Sequence, residues 1–347
     1  MRIDVAGVGN ALVDALVIVE DDLVLQDLGL TRGTMHPVDH DGWMKAYERL
    51  RSHKIAFESG GSCANTVSTA GLLGASAIYC GQVGDDQMGR LYASKMQEAC
   101  GDHALRFTKE RATGKCLAII SAIDAERTML TDLGAATELP GLDDFEAQLE
   151  NARIVHFEGY GLLGGPIKAA VLRALAVAKA SGARISFDAA DPFVPSTIPE
   201  DVRDVLTRFA DIAFLNAEEA RILGGGLPPH EAIHAIADAC GIATLAVKLG
   251  AHGSLVRHNG EVFEIPARKV KAVDTTGAGD AYAGGFLYAV SRGWSAEASG
   301  HLASAVAALT VGQIGAVVKD RAALVAVRDE IARDRHLGPA VLAPEPT

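Results

Sequence analysis

The chain has 347 residues, of which 49% are hydrophobic, 22% charged and 5% aromatic, with 37 glycines and 12 prolines. That composition fits one large α/β domain with an appendage, or two domains, and excludes a disordered or fibrous chain. A formal net charge of −12 excludes a broad nucleic-acid or anionic-membrane surface, which would need clustered Lys and Arg, so an anionic substrate must meet a local positive site.

From the N-terminus, short β-rich runs alternate with longer Ala- and Leu-rich ones, the pattern of a mostly parallel sheet covered on both faces. Strands are predicted at residues 3–8, 77–82, 154–158, 184–188, 212–215 and 244–249, and helices at 63–73, 88–99, 166–180, 202–209, 217–223 and 230–240. Segments 253–257 and 262–266 form a predicted hairpin across His258-Asn259-Gly260, because Asn-Gly suits a two-residue type I′ turn. Helices at 281–292, 296–312 and 321–335 close the chain, and the tail 338–347, with three prolines, is expected to be loosely ordered.

Two stretches break the alternation, 11–40 and 106–132, the second with antiparallel strands predicted at 115–122 and 127–131 around Ile123-Asp124-Ala125-Glu126. Together they predict a small sheet that closes over the C-terminal edge of the parallel strands and keeps water out. The expected division is a core of 1–9, 42–105 and 133–347 with a discontinuous lid of 10–41 and 106–132. The five cysteines, 63, 80, 100, 116 and 240, are odd in number and widely spaced, as expected of reduced thiols without a disulfide framework or zinc site. With no charged-then-apolar leader and no run of ~20 apolar residues, a cytoplasmic location is expected.

The most informative segment is Val273-Asp274-Thr275-Thr276-Gly277-Ala278-Gly279-Asp280. Gly277 and Gly279 can take positive φ, so successive N–H groups can point together at the first turn of the following helix and favour an anion. Asp280 at that spot can take a proton from a hydroxyl while the amides hold a transferring phosphoryl group. The same Gly-x-Gly also suits an ordinary strand-to-helix turn. Rival phosphate motifs fail: Gly114-Lys115 is followed by Cys116 and lacks the upstream Gly of a Walker loop. Gly7-Val8-Gly9-Asn10-Ala11-Leu12 has Leu12 where a dinucleotide fingerprint needs Gly or Ala.

Several segments in order resemble the ribokinase-like (PfkB) carbohydrate and nucleoside kinases. Gly60-Gly61-Ser62-Cys63-Ala64-Asn65-Thr66 is similar to that family's N-terminal motif, Asn216-Ala217-Glu218-Glu219 to its Asn-x-x-Glu element, and 274–280 to its C-terminal motif. Gly9-Asn10-Ala11-Leu12-Val13-Asp14, Thr113-Gly114-Lys115-Cys116 and Arg127-Thr128-Met129-Leu130 resemble the adenosine-kinase branch most. The resemblance implies a three-layer α/β/α core with a small β lid, and ATP-dependent transfer to a nucleoside hydroxymethyl group. Asp280 would be the base, Gly277, Ala278 and Gly279 the anion hole, and Arg127 a lid cation near the phosphate. Asn10, Asp14, Gly60, Gly61 and Asn65 would hold the acceptor, since a carboxylate and an amide suit a vicinal diol. Asn216, Lys248, Gly250, Gly253 and Thr275 would face ATP. Glu219 would meet Mg2+ through water, and backbone carbonyls of Asp274 and Thr276 would be the place for K+.

Each residue has a plainer alternative: a turn cap for Asn10 and Asp14, a helix-start cap for Asn65, a solvated position for Glu219, and a strand-to-hairpin turn for 248–253. The pairs His230/His234 and His36/His40 lack a third ligand and are expected to be surface residues. Two segments depart from the branch: Thr31-Arg32-Gly33-Thr34-Met35-His36-Pro37, on the aglycone side, and the acidic Phe187-Asp188-Ala189-Ala190-Asp191-Pro192-Phe193. A sugar kinase acting on fructose, ribose or a keto-sugar acid is therefore the second reading, and a catalytically silent nucleoside- or sugar-binding regulator the third. Either a monomer or a homodimer is expected.

Overall fold

The computed structural model describes residues 2–124, 126–143, 145–334 and 340–342. Its strands are β1 (Ile3–Val8), β2 (Leu12–Val19), β3 (Met35–Pro37), β4 (Ile55–Gly60), β5 (Ala77–Gly84), β6 (Ala104–Thr108) and β7 (Gly114–Ser121), followed by β8 (Arg127–Asp132), β9 (Ala152–Glu158), β10 (Arg184–Asp188), β11 (Ile212–Asn216), β12 (Thr244–Lys248), β13 (Ser254–His258) and β14 (Glu261–Ile265). Nine form one sheet in the order β14-β13-β12-β11-β10-β9-β1-β5-β6. From β12 to β6 all pairings are parallel, and β13 and β14 continue antiparallel at one edge.

Both faces of this sheet are covered, which is why its strands read as apolar runs. Helices Gly165–Ala180, Pro199–Arg208 and Pro229–Cys240 supply Val171, Leu206 and Ile233 to one core. Helices Ser62–Leu73, Ala278–Ser291 and Ala296–Val311 supply Val67, Phe286 and Val306 to the other. The middle helix of the second set is buried from Ala281 to Ser291. Small residues permit this: a Cβ on Gly284 would lie 2.6 Å from the Thr66 carbonyl oxygen, so only glycine allows the two helices so close. That contact brings Ser62 and Asn65 to the start of the neighbouring helix.

The second sheet has five strands in the order β3-β8-β7-β2-β4. Ala15, Val17, Leu117 and Ile119 pack on Trp43, Ala46 and Leu50, the apolar face of helix His40–Leu50, whose start is capped by Asp39 accepting the Gly42 N–H at 2.8 Å. Lys115 is buried there, paired with Asp132 and 5.3 Å above the Trp43 ring.

Several sequence-based boundaries shift. The expected core span 42–105 contains β4 and helix His40–Leu50, yet β4 pairs with β2 in the small sheet and the helix packs beneath it. Conversely, β6 begins at Ala104 and continues the large sheet beside β5, although 106–132 was assigned to the lid. Ile55 and Phe57 alternate toward the Trp43 cluster while Glu58 sits across from Asp14; six residues with two apolar anchors give too weak a period to stand out. The helix expected at 281 begins at Ala278. The last helix is Arg321–Ile331 with a 3-10 turn Ala332–Asp334; Arg335, Ala125 and most of the 338–347 tail lie outside the described residues. The β13–β14 hairpin turns through Asn259 at φ 49 and Gly260 at φ 94, as a type I′ turn requires. Leu12 opens a strand, so no helix follows the Gly7–Leu12 pattern. The cysteines are free thiols.

Candidate active site

Asp280 occupies the third position of helix Ala278–Ser291, whose N-cap is Gly277 at φ 69. Its two carboxylate oxygens are fixed separately: one accepts from the Ser62 hydroxyl at 2.7 Å and the other from the Asn65 side-chain NH2 at 2.8 Å. Burial pushes the Asp280 pKa above the usual carboxylate range, opposed by those two donors and by Lys248 and assisted by Asp188. A carboxylate so held is oriented, and its raised proton affinity suits a base that must take a proton from an alcohol.

The glycines have different reasons. Gly277 is left-handed, and a Cβ there would meet Ala316 at 2.4 Å, so the turn packs directly on the 312–316 loop. Gly279 was expected to share the positive φ, but it is helical; a Cβ on it would lie 3.1 Å from the Lys248 ammonium nitrogen. Gly60 and Gly61, expected to help hold the acceptor, also answer packing needs within the protein. A Cβ on Gly60 would fall 2.3 Å from the Asp14 carboxylate, and one on Gly61, which sits at φ 94, would fall 2.2 Å from the Asn10 carbonyl oxygen.

Asp14 is half-buried on β2, opposite Glu58. Burial pushes its pKa up to about 7, against the pull of Arg127 and with help from Asp280 and Glu58. Asn10 is buried with its side-chain oxygen unpartnered, and the Asn65 side-chain oxygen is likewise buried and unpartnered. Asn65 is not a helix-start cap, since Gly61 holds that position.

Two residues missed in the sequence join this group. Glu158, 2% exposed at the C-terminal end of β9, accepts the Asn10 N–H at 3.3 Å through one oxygen and leaves the other unpartnered. Burial pushes its pKa up to about 7, against the Asn10 N–H and with help from Asp280. An acid closing the apolar run Ile154–Glu158 was the available signal. Ser62, which holds Asp280, had none beyond its place at a helix start.

On the other side of the helix start lies a cleft of about 660 Å³ bordered by Lys248, Gly250, Gly253, Thr275, Gly279 and Tyr282. Four of the five residues expected to face ATP therefore share one cavity with Ala278 and Gly279. Gly253 also answers a turn requirement, because at φ 90 a Cβ would strike the Ile265 carbonyl at 2.0 Å. The fifth residue, Asn216, caps helix Ala217–Leu223. Its backbone N–H and side-chain NH2 donate to the two Glu219 oxygens at 2.6 and 2.7 Å, and its own oxygen accepts the Glu219 N–H at 2.9 Å. Glu219 is thus buried rather than solvated, and burial together with Asp188 pushes its pKa upward.

Arg127 reaches from the small sheet to the 274–277 turn, where it pairs with Asp274. The Asp274 carboxylate also accepts the Thr276 and Gly315 N–H groups, each at 2.8 Å. Among the described residues no group of three or more His, Cys, Asp or Glu is placed to hold a metal; His230 and His234 are exposed. No helix is long and apolar enough to cross a membrane among those residues.

Comparison with known proteins agrees with this geometry. The model of the pfkB family of carbohydrate kinases matches residues 35–322. The chain is 27% identical to an adenosine kinase from Schizophyllum commune over 331 residues, 88% of this chain and 94% of that protein. It is 28% identical to a 5-dehydro-2-deoxygluconokinase from Bacillus velezensis over 280 residues, 77% and 84% of the two chains. The crystal structure of an adenosine kinase from Sinorhizobium meliloti is similar with a TM-score of 0.85 and 30% identity, covering 95% of this chain and all of that one. Kinases of this family use ATP and a divalent metal ion. An oriented acid beside a glycine turn and a nucleotide-sized cleft, on a fold shared along nearly its whole length, places the chain in the pfkB family, as a phosphotransferase acting on an alcohol group.

Proposed function

We propose that this kinase transfers the γ-phosphoryl group of ATP to the hydroxymethyl group of a nucleoside, the 5′-hydroxyl of an adenosine-type acceptor, in the cytoplasm. The observation that carries it is the fixed Asp280 carboxylate, which follows the Gly279 that borders the 660 Å³ cleft and accepts from Asn65 of the expected acceptor group. Asp14 accepts two hydrogen bonds from the ribose diol, and the open oxygens of Asn10 and Asn65 accept others. Asp280 takes the 5′-hydroxyl proton as the oxygen attacks phosphorus, and N–H groups of 277–279 face the charge that builds on the phosphoryl oxygens. Mg2+ supplies charge neutralisation on the ATP phosphates when bound. Glu219 suits it only through water, because both of its oxygens are engaged by Asn216. K+ would be held by backbone carbonyls of Asp274 and Thr276, next to the Asp274 tie between the two loops.

One observation favours a sugar acceptor: Glu158 adds a buried carboxylate with a free oxygen beside Asn10, giving more hydroxyl acceptors than a ribose diol uses. Measuring ATP-dependent turnover with adenosine, other nucleosides, and fructose, ribose and keto-sugar acids ranks the two. A specificity constant for adenosine well above every sugar supports the nucleoside reading; the reverse order transfers the role to a sugar. No turnover by the wild type, with ligand affinity unchanged in Asp280→Asn, would leave a silent binder.

A further inference from the structure

The turn at 277–279 supplies amides, but phosphoryl transfer spreads charge over three oxygens and is faster where a full positive charge faces them. Arg127, through Asp274, and Lys248, beside Gly279, are both packed against this turn. Arg127 is held by Asp274, whose carboxylate is 3% exposed. Freeing the guanidinium would leave a buried acid without its counter-charge, which is costly.

Lys248 is placed differently. It ends β12 and its ammonium nitrogen is 2.7 Å from the Asp188 carboxylate. The lysine side chain is 16% exposed and the aspartate 2%, so the acid stands behind and the ammonium faces the cleft. The same nitrogen lies 3.1 Å from where a Cβ on Gly279 would be; the glycine leaves room for it against the anion-hole turn. An ammonium has three donors, and Asp188 uses one. Burial opposes its charge, but Asp188, Glu219 and Asp280 outweigh burial and keep it protonated. Asp188 is itself fixed, accepting the Ala190 N–H at 2.9 Å.

We propose that Lys248 is a catalytic residue that donates hydrogen bonds to the phosphoryl group in flight, with Asp188 as the positioning residue that aims it. This assignment rests on the kinase reading but not on which acceptor is used. In the step it serves, the acceptor oxygen forms a bond to the γ-phosphorus and the bond from that phosphorus to the bridging oxygen breaks. The electron pair stays on the ADP oxygen, and the acceptor proton passes to Asp280. Lys248 keeps all its protons throughout.

The test compares Lys248→Met, Asp188→Asn and the double variant Lys248→Met/Asp188→Asn, which removes the pair without leaving a buried charge. In the double variant stability should recover while kcat stays about 10²- to 10³-fold below wild type, with the acceptor KM within about threefold. Recovery of kcat in the double variant would overturn the proposal, because the lysine would then only neutralise Asp188. Calorimetry with ADP alone and with ADP plus aluminium fluoride, a mimic of the moving phosphoryl group, needs no known acceptor. The double variant should lose affinity selectively for the fluoride complex; equal loss for both ligands, or none, would also overturn it. An enzyme that turns over no acceptor but shows the selective loss fails the acceptor assignment and keeps this one.

Discussion

The floor of the site and its lid bring charged groups to one place by opposite means. Asp280 rides on a helix buried on every side from Ala281 to Ser291, and both of its oxygens are fixed by side chains of an adjacent buried helix. Asp14 and Arg127 ride on a thin sheet backed by one short helix, which leaves Ile18 of β2 43% and Met35 of β3 45% exposed. A deep helical floor can hold a base to the fraction of an ångström that chemistry needs. A sheet with a single supporting layer moves more easily, as a lid must.

That contrast breaks most visibly at the floor. Asp280→Asn should lower kcat about 10²- to 10⁴-fold with acceptor binding nearly unchanged and no fall in melting temperature, checked by steady-state kinetics and thermal denaturation. In the wild type the rate should rise with pH along a limb lying above the usual carboxylate range, because only ionised Asp280 accepts the proton and burial has raised its pKa; the variant should lose that limb. In the lid the matching disruption is Trp43→Ala, which empties a fully buried site beneath the sheet and should cost about 3–5 kcal/mol. Hydrogen exchange should quicken in Leu12–Val19 and Gly114–Ser121 and stay slow in Ala77–Gly84; equal quickening in all three would erase the distinction between the regions.

A subtler separation comes from Glu158→Gln. Folded Glu158 holds its proton up to about 7, whereas unfolded it releases it near 4.3. The folded state therefore binds more protons between those values, and this contribution to stability, complete below the lower one, is lost as pH rises through the upper. The variant should be more stable than wild type at pH 8, on the order of 1–3 kcal/mol, and no more stable at pH 4, as read by denaturant midpoints. The smallest effect is expected for Arg127→Ala, about tenfold in kcat/KM, or about 1.4 kcal/mol; a loss exceeding that of Lys248→Met would shift the main cation from floor to lid.

The same two regions differ in how far they could be read from residues alone. The parallel strands from Ile3–Val8 to Thr244–Lys248 are continuous apolar runs separated by long helices, so pattern and burial agree. In the small sheet β7 is buried throughout and was legible with β8 as an antiparallel pair. Strands β2 and β4 are only half-buried, with Glu58 and Asp14 facing away from the Trp43 cluster, and their polar positions dilute the period that would mark them. Helix His40–Leu50 carried a readable signal in its Asp39 cap and the apolar residues at 43, 46 and 50. At the site, the place of Asp280 in a first helical turn was legible because an apolar run follows a glycine turn in sequence. Ser62 and Asp188 were not, since their roles arise from partners 218 and 60 residues away.

Asp274 gathers a guanidinium from the lid, the amide of Thr276 in its own turn and the amide of Gly315 from a distant loop. A small sheet that swung outward would tug on the same knot that shapes the turn at 274–277. Opening the door and loosening the bench would then be one mechanical event, so a mutation that stiffens either should be felt in the pace of the other.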